Sequence, residues 1–242
     1  MNKIVIFLLF IGISCYGRPL RVAVIDTGLN LKDPRFERLI CKDANHWNFT
    51  NNSRNTKDRI GHGTHVAGLI KKYAGDANYC FMIYNYFSPE DTANTNIDNL
   101  VKAFKQAIRD KADIINYSGG GTDFSKEEMQ VLKIAEQRKI LIVVAAGNNY
   151  LNLNTSNFYP ASYSYSNLVV VGNLSKNING SCYKNETSSY GNKVVWELGT
   201  DIESTLPNRK TGLLSGTSQA TAIRTGKIIS GKNPEKCSIL NL

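Results

Sequence analysis

The sequence predicts an α/β fold: a mostly parallel sheet with helices on both faces. Three observations point there. Short apolar runs alternate with segments of helical periodicity along most of the 242 residues, which is the pattern of strands joined by helical crossovers. Several of those runs are continuously apolar rather than alternating, above all Ile140–Ala146 and Leu168–Val171, as in strands covered on both faces. The length and the 42% apolar content suffice for one well-buried domain.

The elements follow in order. Residues 21–25 (RVAVI) read as a buried strand, and residues 64–73 as a helix that begins just after His62. Tyr79–Tyr84 reads as a second strand. Residues 96–110 form an amphipathic helix, with Ile97, Leu100, Val101, Phe104 and Ile108 on one face. Residues 113–117 are a third strand. Ser125 and Glu128 have capping-box spacing and open a helix to about Arg138. The two apolar runs above are the next strands, and residues 218–229 a last helix. The Asn-, Ser- and Tyr-rich stretch 150–167 reads as surface loop.

The first residues stand apart from this pattern. Asn2-Lys3 is a short basic start, Ile4–Ile13 is an apolar run broken only by Gly12, and small residues follow at Ser14 and Gly17. That is the layout of a signal peptide cleaved near Gly17, and the run is too short to span a bilayer. A lipid anchor on Cys15 is the alternative. Export implies a secreted or cell-envelope protein, with residues 18–242 as its single domain. Cys41, Cys80, Cys182 and Cys237 then suggest two disulfides, with three pairings open.

The net charge is +9 at pH 7. The excess Lys and Arg are scattered and not interleaved with stacking aromatics, so no nucleic-acid partner is expected. No later segment is apolar for long enough to cross a membrane. Asn-x-Ser/Thr triplets occur at Asn48, Asn51, Asn154, Asn173, Asn179 and Asn185.

Three short motifs carry the chemistry. Asp26-Thr27-Gly28 closes the first strand, Gly61-His62-Gly63-Thr64-His65 opens a helix, and Gly216-Thr217-Ser218 precedes the last helix. In an open parallel sheet, functional groups gather at the carboxyl ends of strands, where Asp26 lies. An acid, an imidazole and a hydroxyl can form a relay. His62 takes the proton of Ser218 as it attacks and returns it to the leaving group, while Asp26 holds the ring in the needed tautomer. Asn148, in Ala145-Ala146-Gly147-Asn148, adds a side-chain amide suited to a developing oxyanion. Singly, each residue has a plainer reading. Asp26 and Ser218 are common cap types and Asn148 suits a left-handed turn. His62 and His65 could face one metal, but no Cys or carboxylate nearby completes a zinc set. His65 reads as a packed helix residue and His46 as a surface or loop histidine.

In the order Asp, His, Ser, with Ala-Ala-Gly-Asn between, these motifs resemble the subtilisin-like serine proteases. The resemblance covers residues 20–230. It includes Asn116-Tyr117-Ser118-Gly119-Gly120-Gly121, Tyr159-Pro160-Ala161 and residues 200–207. It implies a three-layer subtilisin-like fold and a serine endopeptidase acting through an acyl-enzyme on Ser218. Substrate contacts are implied at Ser118, Gly119, Gly120, Ala145, Gly147 and Phe158. Phe158 falls where the family has the floor of its primary specificity pocket, often a glycine, so its ring should favour small side chains before the cleaved bond.

Some features depart from the family. Only eight residues separate Gly17 from Asp26, leaving no evident pro-segment, and 24 residues follow Ser218. Thr221-Ala222 stands where the family has a proline, and Glu197-Leu198-Gly199 replaces Ala-Pro-Gly. These departures suggest either folding without help or a separate folding or inhibitory factor. They also keep open a catalytically inactive subtilase-fold protein that binds peptides or proteins. The expected partner is otherwise a protein or peptide substrate, and the expected state a monomer. No cofactor is required. Calcium, common in the family as a structural clamp, is unassigned, with Asp33, Asp43, Asp58 and Asp76 as loop oxygens that could contribute.

Overall fold

The structure is a computed structural model that describes residues 17–234. Residues 1–16, where a signal peptide is expected, and Cys237 lie outside this range. The strands are β1 (Leu20–Asp26), β2 (Trp47–Asn48), β3 (Tyr79–Asn85), β4 (Ile114–Tyr117), β5 (Leu141–Ala145), β6 (Leu168–Lys176), β7 (Cys182–Lys184), β8 (Val194–Leu198), β9 (Ile202–Thr205) and β10 (Thr211–Leu214). The helices are α1 (His62–Ala74), α2 (Ala93–Arg109), α3 (Lys126–Gln137) and α4 (Thr217–Ile229).

Eight strands form one sheet in the order β2-β3-β1-β4-β5-β6-β7, with β8 also paired to β6; β9 and β10 form a separate hairpin. Every pairing in the large sheet is parallel except β6 with β7. The side chains of β1 show why its sequence is apolar throughout. Ala23 and Ile25 enter one core with Leu100, Phe104, Val131 and Leu132 of α2 and α3. Val22 and Val24 enter the other with Val66, Leu69, Ile70 and Ile223 of α1 and α4. Alternation therefore buries both faces, and each fully buried aliphatic side chain contributes about 1.5–3 kcal/mol. The three-layer architecture is as expected.

The boundaries shift where side chains cap the ends. The second helix starts three residues earlier than its apolar face indicates, because the Thr92 hydroxyl accepts from the Thr95 amide. At α3 only half of the capping box forms. The Ser125 hydroxyl accepts from Glu128 N at 3.1 Å, but the Glu128 carboxylate turns away to accept from the Tyr163 hydroxyl. The β2 and β7 strands, of two and three residues, are too short to be read from pattern, and the β9–β10 hairpin carries too few apolar residues.

The stretch 150–167 has neither helix nor strand, yet it is not simply surface. Phe158 and Tyr163 are buried in the core beside α3. Phe158, Tyr163 and Tyr165 are packing groups, with Tyr163 and Tyr165 donating hydrogen bonds to Ser125 O and Met129 O. His46 is likewise more than a loop histidine. Its Nδ1 accepts from Ile83 N, so Nε2 carries the proton and donates to Cys41 O. Burial holds its pKa below the usual imidazole value. Cys41 and Cys80 form a disulfide that ties the same loop to β3, and Cys182 is disulfide-bonded too. Two of the glycosylation triplets start at buried asparagines, Asn48 and Asn173.

Candidate active site

Three parallel strands deliver their chemistry to one edge. At the end of β1, the carboxylate of Asp26 is 3% exposed. Its Oδ1 accepts from Thr27 N at 2.7 Å and from His62 Nδ1 at 2.8 Å. His62 is the first residue of α1. That start can approach β1 because residue 63 is glycine, since a Cβ there would meet the N and O of Gly28. The Asp26 carboxylate raises the pKa of His62 above its ordinary value against the opposing effect of burial, with a further contribution from Asp58. With Nδ1 committed to Asp26, Nε2 of the neutral ring is an acceptor.

Beyond β4, Ser118 meets the N-terminus of α4. The Ser118 hydroxyl donates to Ser218 O at 3.0 Å, and the Ser218 hydroxyl donates to Ser118 O at 2.9 Å. Ser218 is the second residue of α4, where the amides of the first turn lack helical partners and the helix dipole is positive. Gly216 before it adopts φ +146°, and a Cβ there would press on the Asn148 amide at 3.2 Å.

Asn148 follows β5. Its Oδ1 accepts from both Thr217 N (2.9 Å) and Thr217 Oγ1 (3.1 Å). That fixes the orientation of the amide and leaves its NH₂ as the free, donating end. The structure thus joins Asp26 to His62 directly and Asn148 to the turn before Ser218. The hydroxyl of Ser218 points to Ser118 in this conformation.

The sequence matches the profile of the subtilase family over residues 17–230. The chain belongs to the subtilase family. It is 30% identical over 232 residues to the major intracellular serine protease of Bacillus subtilis (strain 168), covering 91% of this chain and 70% of that one. It is 30% identical to the minor extracellular protease Epr of the same organism, covering 85% of this chain but only 30% of the relative. The crystal structure of a cold adapted subtilisin-like serine proteinase superimposes with a TM-score of 0.74 at 25% identity, covering 88% of this chain and 74% of that one. This subtilase is therefore a serine endopeptidase of subtilisin type. Its relatives include proteins named as intracellular and as extracellular. Among the described residues no helix is long and apolar enough to cross a membrane.

The six residues implied as substrate contacts lie together around this site. Beyond Ser118, Gly121 pairs with Tyr159 in both directions, Gly121 N to Tyr159 O at 2.9 Å and Tyr159 N to Gly121 O at 2.6 Å. That bridge carries Phe158 between two glycine backbones. A Cβ on Gly147 would lie 2.9 Å from the Phe158 ring, and one on Gly120 would collide with it. The ring, 7% exposed, fills the space between the segment after β4 and the segment after β5. Ala145 is the buried last residue of β5. A Cβ on Gly119 would meet the Tyr86 hydroxyl and the Tyr117 ring.

The remaining histidine, His65, is fully buried and its Nε2 lies 3.0 Å from Ile202 O and 3.2 Å from Gly212 O. It is a packed helix residue as expected, and burial lowers its pKa. Three of the four loop aspartates named for calcium are engaged by protein partners. Asp33 is paired with Arg35, Asp43 with Arg21, and both oxygens of Asp58 accept protein hydrogen bonds. Among the described residues no group of three or more His, Cys, Asp or Glu is placed to hold a metal ion.

Sequence reasoning missed Thr217, whose side chain and amide fix Asn148, and Thr27, whose hydroxyl accepts from Gly63 N at 2.8 Å. Both flank motif residues and were read only as part of turns.

Proposed function

We propose that this subtilase is an exported endopeptidase whose machinery is Asp26, His62, Ser218 and Asn148, within one peptidase domain of residues 18–242. His62 is the general base and then the general acid, Asp26 orients it, and Ser218 is the nucleophile that carries the acyl group. Asn148 and the Ser218 amide stabilise the oxyanion. The observation that carries this reading is the 2.8 Å contact of Asp26 with His62 Nδ1, which turns the accepting nitrogen away from the carboxylate. Export is supported by the basic-then-apolar layout of the first 17 residues. The chemistry uses side chains and backbone alone and needs no cofactor.

An extended peptide binds by adding a strand to Ser118–Gly120. Its amide would take the Ser118 carbonyl as acceptor, displacing the Ser218 hydroxyl that now occupies it. The freed hydroxyl then turns to His62 Nε2 and attacks. The proton passes to His62 and on to the departing amine, and water reverses the steps to release the acid. With Phe158 in the pocket, the preferred residue before the cleaved bond is small. The protein acts as a monomer.

The test is hydrolysis of a denatured protein substrate by the wild type, Ser218→Ala, His62→Ala and Asp26→Asn. Cleavage by the wild type and loss of several decades in each variant is the expected result. A Ser218→Ala variant as active as the wild type would remove the proposal.

A further inference from the structure

We propose that Asp58 is a positioning residue for His62: a buried carboxylate that locks the start of α1 and offsets the dipole of that helix, so that the imidazolium can form. The proposal rests on His62 being the base.

The carboxylate is 3% exposed. Its Oδ1 accepts from Thr27 Oγ1 (3.0 Å), Ile60 N (3.0 Å) and Gly61 N (2.8 Å). Its Oδ2 accepts from Thr64 N (2.8 Å) and Thr64 Oγ1 (2.7 Å). Five donors converge on one side chain, and no Lys or Arg among the described residues lies within ion-pair distance of it. Thr27 extends the network, because the hydroxyl that donates to Asp58 accepts from Gly63 N. The amides on both sides of His62 are thereby held, at Gly61 by Asp58 and at Gly63 by Thr27.

The electrostatic consequence follows from where His62 sits. It is the first residue of α1, in the positive end of the helix dipole, and that position disfavours a charged imidazolium. During peptide cleavage the ring must carry that charge twice. An anion bound to the first-turn amides cancels the unfavourable field, as a capping acid does. The other titratable groups around the ring are few. Asp26 contributes from β1, and His65 lies on the next turn of α1, neutral and buried. Tyr86 and Tyr117 are phenols whose pKa values burial raises. The β9–β10 hairpin presents apolar Leu206 and Pro207 to Gly61, and the first turn of α4, Thr217 to Ala220, carries no titratable side chain.

The experiment reads the His62 imidazole by NMR in the free enzyme, assigned by comparison with His62→Gln, for wild type, Asp58→Asn, Asp58→Glu and Thr27→Val. The chain has three histidines, and burial lowers the pKa of the other two, so His62 titrates highest. Asp58→Asn should move its titration, and the acid limb of kcat/KM, to lower pH. The same change should cut kcat about tenfold or more with KM within about twofold. Asp58→Glu should recover part of both. Thr27→Val keeps the charge but cuts the link to Gly63. It should lower kcat at least about threefold and leave the titration near wild type. A folded Asp58→Asn protein with an unmoved His62 titration overturns the proposal. If Asp58→Asn does not fold, an unchanged kcat in Thr27→Val overturns it. A shifted titration in a protein that hydrolyses nothing would sink the enzymatic reading instead, leaving only the electrostatic effect of Asp58 on the His62 ring standing.

Discussion

Replacing Phe158 by alanine should convert a pocket closed to large side chains into an open one. The ring is 7% exposed and lies against the backbones of Gly120 and Gly147. Its removal frees a volume between the two segments that flank the nucleophile. A substrate phenyl ring entering that volume would bury apolar surface worth about 2–3 kcal/mol. At about 1.4 kcal/mol per decade, kcat/KM for phenylalanine before the cleaved bond should rise roughly 30–150-fold relative to alanine. Deleting a core phenylalanine also costs stability, about 3–5 kcal/mol if the cavity stays empty. For a chain of this size that lowers Tm by roughly 6–20 °C. A peptide library digested by wild type and variant, read by mass spectrometry, gives the specificity change, and calorimetry gives the stability. A wild-type profile dominated by large aromatic residues, or a variant with an unchanged profile, would refute the reasoning.

Other expectations concern separate parts of the molecule. Asn148→Ala should lower kcat about 10²–10³-fold with little change in KM, a magnitude taken from subtilisin itself rather than worked from this structure; steady-state kinetics checks it. Burial raises the pKa of Glu128 from its ordinary value of 4.5 to about 7. The folded chain therefore keeps this proton longer than the unfolded one, and stability falls as pH rises from about 4.5 to about 7. Glu128→Gln should be more stable than wild type by about 3 kcal/mol at pH 8 and equal to it near pH 4.5; denaturant unfolding at both pH values decides, and an equal gain at both refutes the assignment. Lys227 and Glu197 form a buried ion pair at 2.7 Å under α4, with Arg224 3.9 Å away. Lys227→Met alone should cost about 3–5 kcal/mol, and adding Glu197→Leu should recover much of it; a double variant no more stable than the single one contradicts this.

Much of this molecule was legible in its sequence, for physical reasons. The β1, β3, β4 and β5 strands are buried on both faces, so their residues must be apolar, and the runs stand out. Asp26, His62 and Asn148 lie beside glycines, and at Gly63 backbone contact dictates the glycine, so their motifs are conspicuous. What stayed hidden depends on contacts between distant residues. Val194–Leu198 is a strand because β6 offers it an edge, not because its own pattern alternates. The stretch 150–167 looked like surface because its polar asparagines and serines outnumber Phe158, Tyr163 and Tyr165, which point inward. Asp58 looked like a loop oxygen free for an ion. Its five donors come from Thr27, 31 residues earlier, and from the amides and hydroxyl that follow it. The Ser218 hydroxyl on Ser118 O is a contact across 100 residues, and no local pattern announces it.

The central claim is that Ser218 is a nucleophile activated by His62 and Asp26. A fluorophosphonate reacts covalently with such a serine and leaves a mass tag on it. Incubating the folded protein with the probe and mapping the tag by peptide mass spectrometry should find it on Ser218 alone, and on nothing in Ser218→Ala or His62→Ala. A folded wild type that takes no label, or a label carried by another residue, would contradict the account.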